Sequence, residues 1–534
     1  MTRKLSAKNL TVKGIMLDPA RLTERHEFYF DLLPKLAEWG FNTLWWHFVD
    51  DEGFVLKLDA HPELATPYAF SKAETRRFIA EAGKHGIEVV PEVESLGHGR
   101  YITRLPQYAH LHDGITSGFN AICPSHRDTI PLLREIIEEV ADLFPSEYFH
   151  AGLDEVNLAG CKRCARRAKG KAKWRIYADH VKAIHKIVTG CDKRMMMWAD
   201  HVQRSPAMLR ELPSDIVMIH WHYGKIDTDA ISRSLDAGFE VIGAPAMMRH
   251  RHVIQPHKLN IQNTEDMIDT ASKLTGRGML GVVNTWWTPR RVLRDACLPV
   301  AAYTGHLLNG GSKDKVAFFA KHLREQFGLL GTKAARALWT FHQDTLVLSE
   351  LQALAFDSPA DMLDAVAMSA HNDIPARIRR ISQAVDTLAA ASKKVTRNHK
   401  AYKACILAGR LAAELLANSL DLAKAYTIYK QAENLFDRGY PKADVAKPLD
   451  EAAGVLGLIH KRLDTLSCQV SDEWDRTRYP RDVKKAVTNL AEPCPMDSLL
   501  GRLVRSRAFV QTITAKLKRA TEALRHGGHF PTAV

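Results

Sequence analysis

The stretch EWGFNTLWWHFVDD (residues 38–51) has three parts in a fixed order. A glycine, Gly40, stands where an amphipathic helix must end. A short β-branched and aromatic run, Thr43 to Trp46, suits a buried strand. A polar tip follows, His47, Asp50 and Asp51. The glycine followed by an apolar run recurs in KHGIEVVPEVE (84–94) and DAGFEVIGA (236–244). Eight such apolar runs lie before about residue 310, at 14–18, 43–50, 88–94, 148–155, 194–200, 216–222, 240–247 and 279–287. Helix-like segments such as 71–85 and 129–143 separate them. Strands alternating with helices must run parallel, and eight of them close on themselves. The chain is therefore expected to be α/β, a (β/α)8 TIM barrel.

Catalytic side chains of such a barrel come from the C-terminal ends of its strands. The polar and aromatic residues gather there: His47, Asp50 and Asp51; Glu92, Glu94 and His98; His150, Asp154 and Glu155. The fifth, sixth and eighth runs end on Trp198, on Trp221 and Tyr223, and on Trp286 and Trp287. Packing alone does not call for carboxylates and tryptophans on one rim.

Beyond about Lys313 glycine becomes scarce, and Ala, Leu, Lys, Glu and Arg recur at helical spacing, notably over 398–436 and 449–467. An all-α C-terminal domain follows the barrel, with the division expected as 1–325 and 326–534. No fixed-period repeat is visible. The polar, aromatic segment DEWDRTRYPRD (472–482) reads as a helix–helix turn or as a cap on the barrel mouth.

At 534 residues, with 46% hydrophobic and 25% charged content, the chain has room for two or three globular domains. No run approaches the roughly 18 apolar residues of a membrane helix. The first nine residues lack a secretory core, so a cytoplasmic location is expected. A formal charge of +13 would attract anions, but no basic run is interleaved with aromatics, which argues against nucleic acid as a partner. Eight dispersed cysteines suit a reducing compartment. Cys161 and Cys164 form a CxxC, half of a zinc site or a redox pair; Cys123 and Cys191 stand alone, and the expectation is free thiols and no metal.

The chemistry concentrates in FHAGLDEV (149–156), two adjacent carboxylates at a strand end. Neighbours on a regular strand face opposite ways, so both can serve one substrate only if the backbone bends, which Gly152 permits. Adjacent acids also push their pKa values apart, leaving one protonated while the other ionises. Glycosidic cleavage needs that division of labour.

HxGxDE after an apolar run resembles the signature of family 20 glycoside hydrolases, the β-N-acetylhexosaminidases. GIMLDPAR (14–21), HFVDDEGF (47–54) with HPEL (61–64), and VVPEVESLGHGRYI (89–102) resemble that family's first three strand segments, in order and at suitable spacing. The likeness covers about 310 residues. The helical tail makes the chain similar to the shorter, hexosaminidase D-like members.

The resemblance implies an exo-acting, retaining enzyme that removes terminal β-linked N-acetylglucosamine or N-acetylgalactosamine. Catalysis would be substrate-assisted through an oxazolinium ion, without cofactor or metal. It places Glu155 as general acid/base and Asp154 on the acetamido group. His98 would contact Glu155, with Glu94 behind the ring. Lys13, Asp50 and His150 would touch the sugar, and Trp198, Trp221 and Trp287 would wall it. Three positions depart from the family pattern. Lys13 replaces an arginine. Met247 and Met248 stand where a tyrosine and an aspartate are usual, with Tyr223 as a substitute phenol. Pro289 replaces a glutamate. Two other readings follow from these departures: a glycosidase for a differently decorated amino sugar, and a catalytically silent carbohydrate-binding barrel. Oligomeric state is not legible.

Overall fold

A computed structural model describes residues 9–114, 121–156, 161–170, 172, 174–249, 252–287, 289–371, 373–479 and 498–530. Residues 480–482 of the 472–482 segment lie outside them.

All eight runs form strands: β1 (Val12–Leu17), β2 (Thr43–Trp46), β3 (Glu88–Pro91), β4 (Tyr148–His150), β5 (Arg194–Trp198), β6 (Val217–Trp221), β7 (Val241–Ala244) and β8 (Met279–Trp286). Each pairs in parallel with its sequence neighbour, β8 returns to β1 with Trp286 beside Leu17, and a bridge between Glu92 and His150 closes β3 on β4. The barrel is filled by inward side chains of alternate strand positions, among them Met16, Trp45, Val90, Met196, Trp198, Ile219, Ile242 and Val283.

Local sequence explains the outer helices. Lys72–Lys84 starts at a capping box in which the Ser71 side chain accepts from the Glu74 amide and Glu74 accepts from the Ser71 amide. Thr129–Leu143 buries Leu132, Leu133, Ile136, Ile137 and Val140 on one face toward the barrel. After β5 a five-residue helix, Asp200–Arg204, and a 3-10 turn, Pro206–Arg210, replace the usual long crossover helix. That exception places Asp200 and His201 at the rim.

Beyond Arg294–Leu308 the described chain is helical, with long members His399–Asp437, Lys442–Thr477 and Leu499–Arg525. A division after residue 325 would cut the helix Lys315–Phe327. The segment beginning at Asp472 is not a turn between helices up to Thr477, because Lys442–Thr477 runs through it. Arg478 and Tyr479 then pack on the barrel. Arg478, 1% exposed, donates to the carbonyls of Pro289 and Val292 at 2.9 and 3.1 Å and faces Glu24 at 3.1 Å. The Tyr479 ring stacks on Tyr68. No helix among the described residues is long and apolar enough to cross a membrane.

Candidate active site

The backbone after β4 is bent as the paired acids require. Gly152, Leu153 and Glu155 all adopt positive φ, 66°, 81° and 51°. A side chain at residue 152 would collide with the Glu94 carboxylate, and one at residue 97 with the Asp154 carbonyl, so both positions demand glycine. Left-handed geometry at Leu153 and Glu155 costs about 1–3 kcal/mol each and needs support from outside. Three contacts supply it. Tyr177 Oη donates to the Leu153 carbonyl (2.9 Å), the Glu155 amide donates to Asp200 (3.3 Å), and the Val156 amide donates to His201 Nε2 (3.0 Å).

The bend turns Asp154 and Glu155 into one pocket of about 360 Å³. His98, itself at φ 47°, lies between them: its Nε2 is 3.7 Å from Asp154 Oδ2 and 3.4 Å from Glu155 Oε2. Its Nδ1 faces Asp50 and Asp51 at 3.4 and 3.5 Å. The carboxylates behind the ring are therefore these two, and not Glu94, whose carboxylate packs against Gly152 and clusters with His47 and Glu92. Trp221, Tyr223 and Trp287 form the aromatic wall, with the Trp287 indole donating to Tyr223 Oη (2.6 Å). The Trp221 indole nitrogen is buried and has no hydrogen-bond partner among the described residues. Arg21, Arg290 and Arg291 line the same cavity.

Beneath the pocket runs a chain of alternating charges. His47 bridges Asp50 and Glu92 at 2.8 Å on each ring nitrogen, and Asp50 also takes Arg21 at 2.7 Å. Burial opposes charge on His47 and His98, but the surrounding carboxylates outweigh it and hold both well above the usual imidazole range. Asp50 is held well below the carboxylate range, because Arg21, His98 and His47 outweigh its burial. Burial pushes Asp154 up to about 8, with the charges of Asp200 and Glu155 adding and His98 opposing. Glu155 is also raised by burial, but its contact with His98 wins and the net shift is downward. Without a ligand, the proton of the acid pair therefore rests on Asp154.

Three expected sugar contacts lie elsewhere. Lys13 sits at the N-terminal end of β1, where its Nζ donates to Asn309 (2.9 Å), because the arginine-like position is too early in the strand to reach the rim. His150 is fully buried under the floor, accepting from the Gly152 amide at 3.1 Å, and burial pushes it down to about 4. Trp198 belongs to the barrel interior and donates to Glu92 (2.9 Å). Conversely, Arg21, Glu52, Arg290 and Arg291 were not singled out from sequence, although Arg21 closes the GIMLDPAR motif and the two arginines follow the last strand.

The family model described as glycosyl hydrolase family 20, catalytic domain, matches residues 11–286. A β-hexosaminidase of Vibrio furnissii is 26% identical over 289 residues, 47% of this chain and 46% of that protein. The β-hexosaminidase subunit beta of Felis catus is 28% identical over 254 residues, 43% of this chain and 46% of that protein. The chain thus spans a little under half the length of these curated relatives. A chitobiase structure from Flavobacterium johnsoniae superposes with a TM-score of 0.53 at 19% identity, over 83% of this chain and 75% of that one, a likeness of fold.

Proposed function

The chain belongs to glycosyl hydrolase family 20, and from that premise we propose that it is a retaining exo-β-N-acetylhexosaminidase using substrate assistance. The observation that carries the proposal is the convergence of Asp154 and Glu155, adjacent in sequence, on one aromatic-walled pocket. Its size, about 360 Å³, lies at the small end of ligand cavities, which suits a single terminal sugar.

In this reading the apolar face of a pyranose rests on Trp221 and Trp287, and its acetamido N–H points at Asp154. The acetamido oxygen attacks the anomeric carbon while Glu155 protonates the departing oxygen. Glu155, now anionic, then deprotonates the water that opens the oxazolinium ring, and two inversions give retention. Asp154 must be anionic to hold the amide and its developing positive charge. Substrate binding therefore moves the resting proton from Asp154 to Glu155, and His98 Nε2 lies within 3.7 Å of both carboxylates to mediate the exchange.

A panel of aryl β-glycosides tests the proposal. Cleavage of N-acetylglucosaminide or N-acetylgalactosaminide with retention, and none of the unacetylated glucosaminide, is the expected result; equal cleavage of the unacetylated sugar would sink the assisted mechanism. A silent carbohydrate-binding barrel is the second reading, favoured by the burial of Met247 and Met248 just beyond β7 and by Pro289 after the last strand. It requires sugar binding without turnover.

A further inference from the structure

Sequence spacing leaves Cys123 without a partner and the Cys161–Cys164 pair as half a site, but the fold brings all three together. Cys123 Sγ lies 3.2 Å from Cys161 Sγ and 3.8 Å from Cys164 Sγ. Asp113 completes a group of four whose donor atoms all fall within 4.8 Å of one another. Asp113 and Cys123 are 0% exposed, Cys164 1% and Cys161 7%. Among the described residues, both carboxylate oxygens of Asp113 are buried without a hydrogen-bond partner, a costly state for an acid that faces three sulfurs.

We propose that Asp113, Cys123, Cys161 and Cys164 form a tetrahedral structural zinc site. Zinc bonded to thiolates at about 2.3 Å in a tetrahedron places sulfurs roughly 3.8 Å apart, close to the spacing found. A disulfide could join only two of the three sulfurs and would leave Asp113 unsatisfied. Four protein donors with no open position make the site structural and not catalytic. The three thiolates and the carboxylate exceed the metal's charge, and Arg167, which donates to the Pro124 carbonyl beside Cys123, lies among the compensating cations.

The location gives the metal its work. Asp113 and Cys123 lie on the excursion after β3, held together by the Cys123 amide to the Leu111 carbonyl (2.7 Å) and the Ile122 amide to the Leu96 carbonyl (2.8 Å). Cys161 and Cys164 lie a few residues beyond Asp154 and Glu155, at the start of the helix Lys162–Arg167. The metal would clamp the loop carrying His98 to the loop carrying the acid pair, helping to hold the left-handed backbone there. The site does not depend on which sugar is cleaved, or on whether any is.

The test uses the full-length protein purified without chelator. Elemental analysis should give about one zinc per chain, lost in both Cys123→Ser and Cys161→Ser. Zinc exchanged for cobalt(II) should give the intense visible bands of tetrahedral thiolate coordination. Because a serine variant can misfold, the parent protein is also titrated with a thiol-specific mercurial in the presence of a colorimetric zinc indicator. Release of one zinc on modification of about three thiols supports the site. Substoichiometric zinc after incubation with zinc chloride and desalting would overturn it. So would a Cys123–Cys161 disulfide in the freshly purified protein, or zinc retained in Cys161→Ser.

Discussion

Replacing Asp154 by asparagine should stabilise the protein at neutral pH while disabling it. Asp154 is held at about 8 against an ordinary 3.8. The sign follows from proton linkage. Between those values the folded state keeps a proton that the unfolded chain releases, so the parent loses stability as pH rises from about 4 toward 8. At pH 7 roughly 3 of the 4 units are in force, and at 1.36 kcal/mol per unit this gives a ceiling of about 4 kcal/mol. The Asp154 side chain is 13% exposed, so water and relaxation reduce the effect to about 1–3 kcal/mol. Asparagine keeps the shape and never ionises. Thermal unfolding of parent and Asp154→Asn at pH 4.5, 6 and 7.5 should show a difference in Tm near zero or slightly unfavourable at the lowest pH, growing in the variant's favour by several degrees at the highest. Carboxylates remote from Asp154 are common to both proteins and cancel; Glu94, Glu155 and Asp200, which interact with it, contribute only through that coupling. Turnover should fall by about 10²–10³-fold, the usual loss for one transition-state-stabilising group. A Tm difference that is flat or shrinks with pH would refute the reasoning, because it would mean that Asp154 is already ionised in the folded protein at pH 7.

Glu155→Gln should slow substrates with poor leaving groups far more than activated aryl glycosides, since only the former need a proton; equal losses in kcat would contradict its role as acid. His98→Asn removes a cation that lowers the affinity of Asp154 and Glu155 for protons. The alkaline limb of kcat/KM, which reports loss of the pair's shared proton, should therefore move to higher pH, and an unmoved or lowered limb would count against the proposed exchange. Arg478→Ala takes from buried Glu24 its 3.1 Å partner, leaving Arg294 at 3.9 Å, and frees the carbonyls of Pro289 and Val292. Destabilisation of about 3–5 kcal/mol is expected in chemical unfolding, together with a raised KM, because Arg290 and Arg291 lie on the stretch that Arg478 anchors. Unchanged stability would show that the contact between the helical region and the rim is incidental.

The eight strands were legible because each is announced locally by a β-branched or aromatic run, most of them after a helix-ending glycine or proline. The acid pair was legible for the same reason, one short motif at one strand end. Lys13, His150 and Trp198 show where local reading stops. Each lies on a strand that leads to rim residues, but one position along a strand reverses the face and two carry the next inward side chain to another depth. Motif order carries neither quantity reliably. Arg478 shows the complementary gap: it lies nearly 190 residues after Pro289, and no local pattern tells a helix-end arginine that it will be buried against the barrel.

Sequence alone determined the barrel, the helical character of the remainder and the placement of two adjacent acids at one strand end, because strand periodicity, helix punctuation and motif chemistry act over a few residues. Tertiary structure alone decided which histidines are pushed toward charge, that burial raises Asp154 while His98 lowers Glu155, which tryptophans face the pocket, and that Cys123 meets Cys161, Cys164 and a buried aspartate. Those properties depend on burial and on distances between segments tens to hundreds of residues apart, and both are set only when the barrel closes.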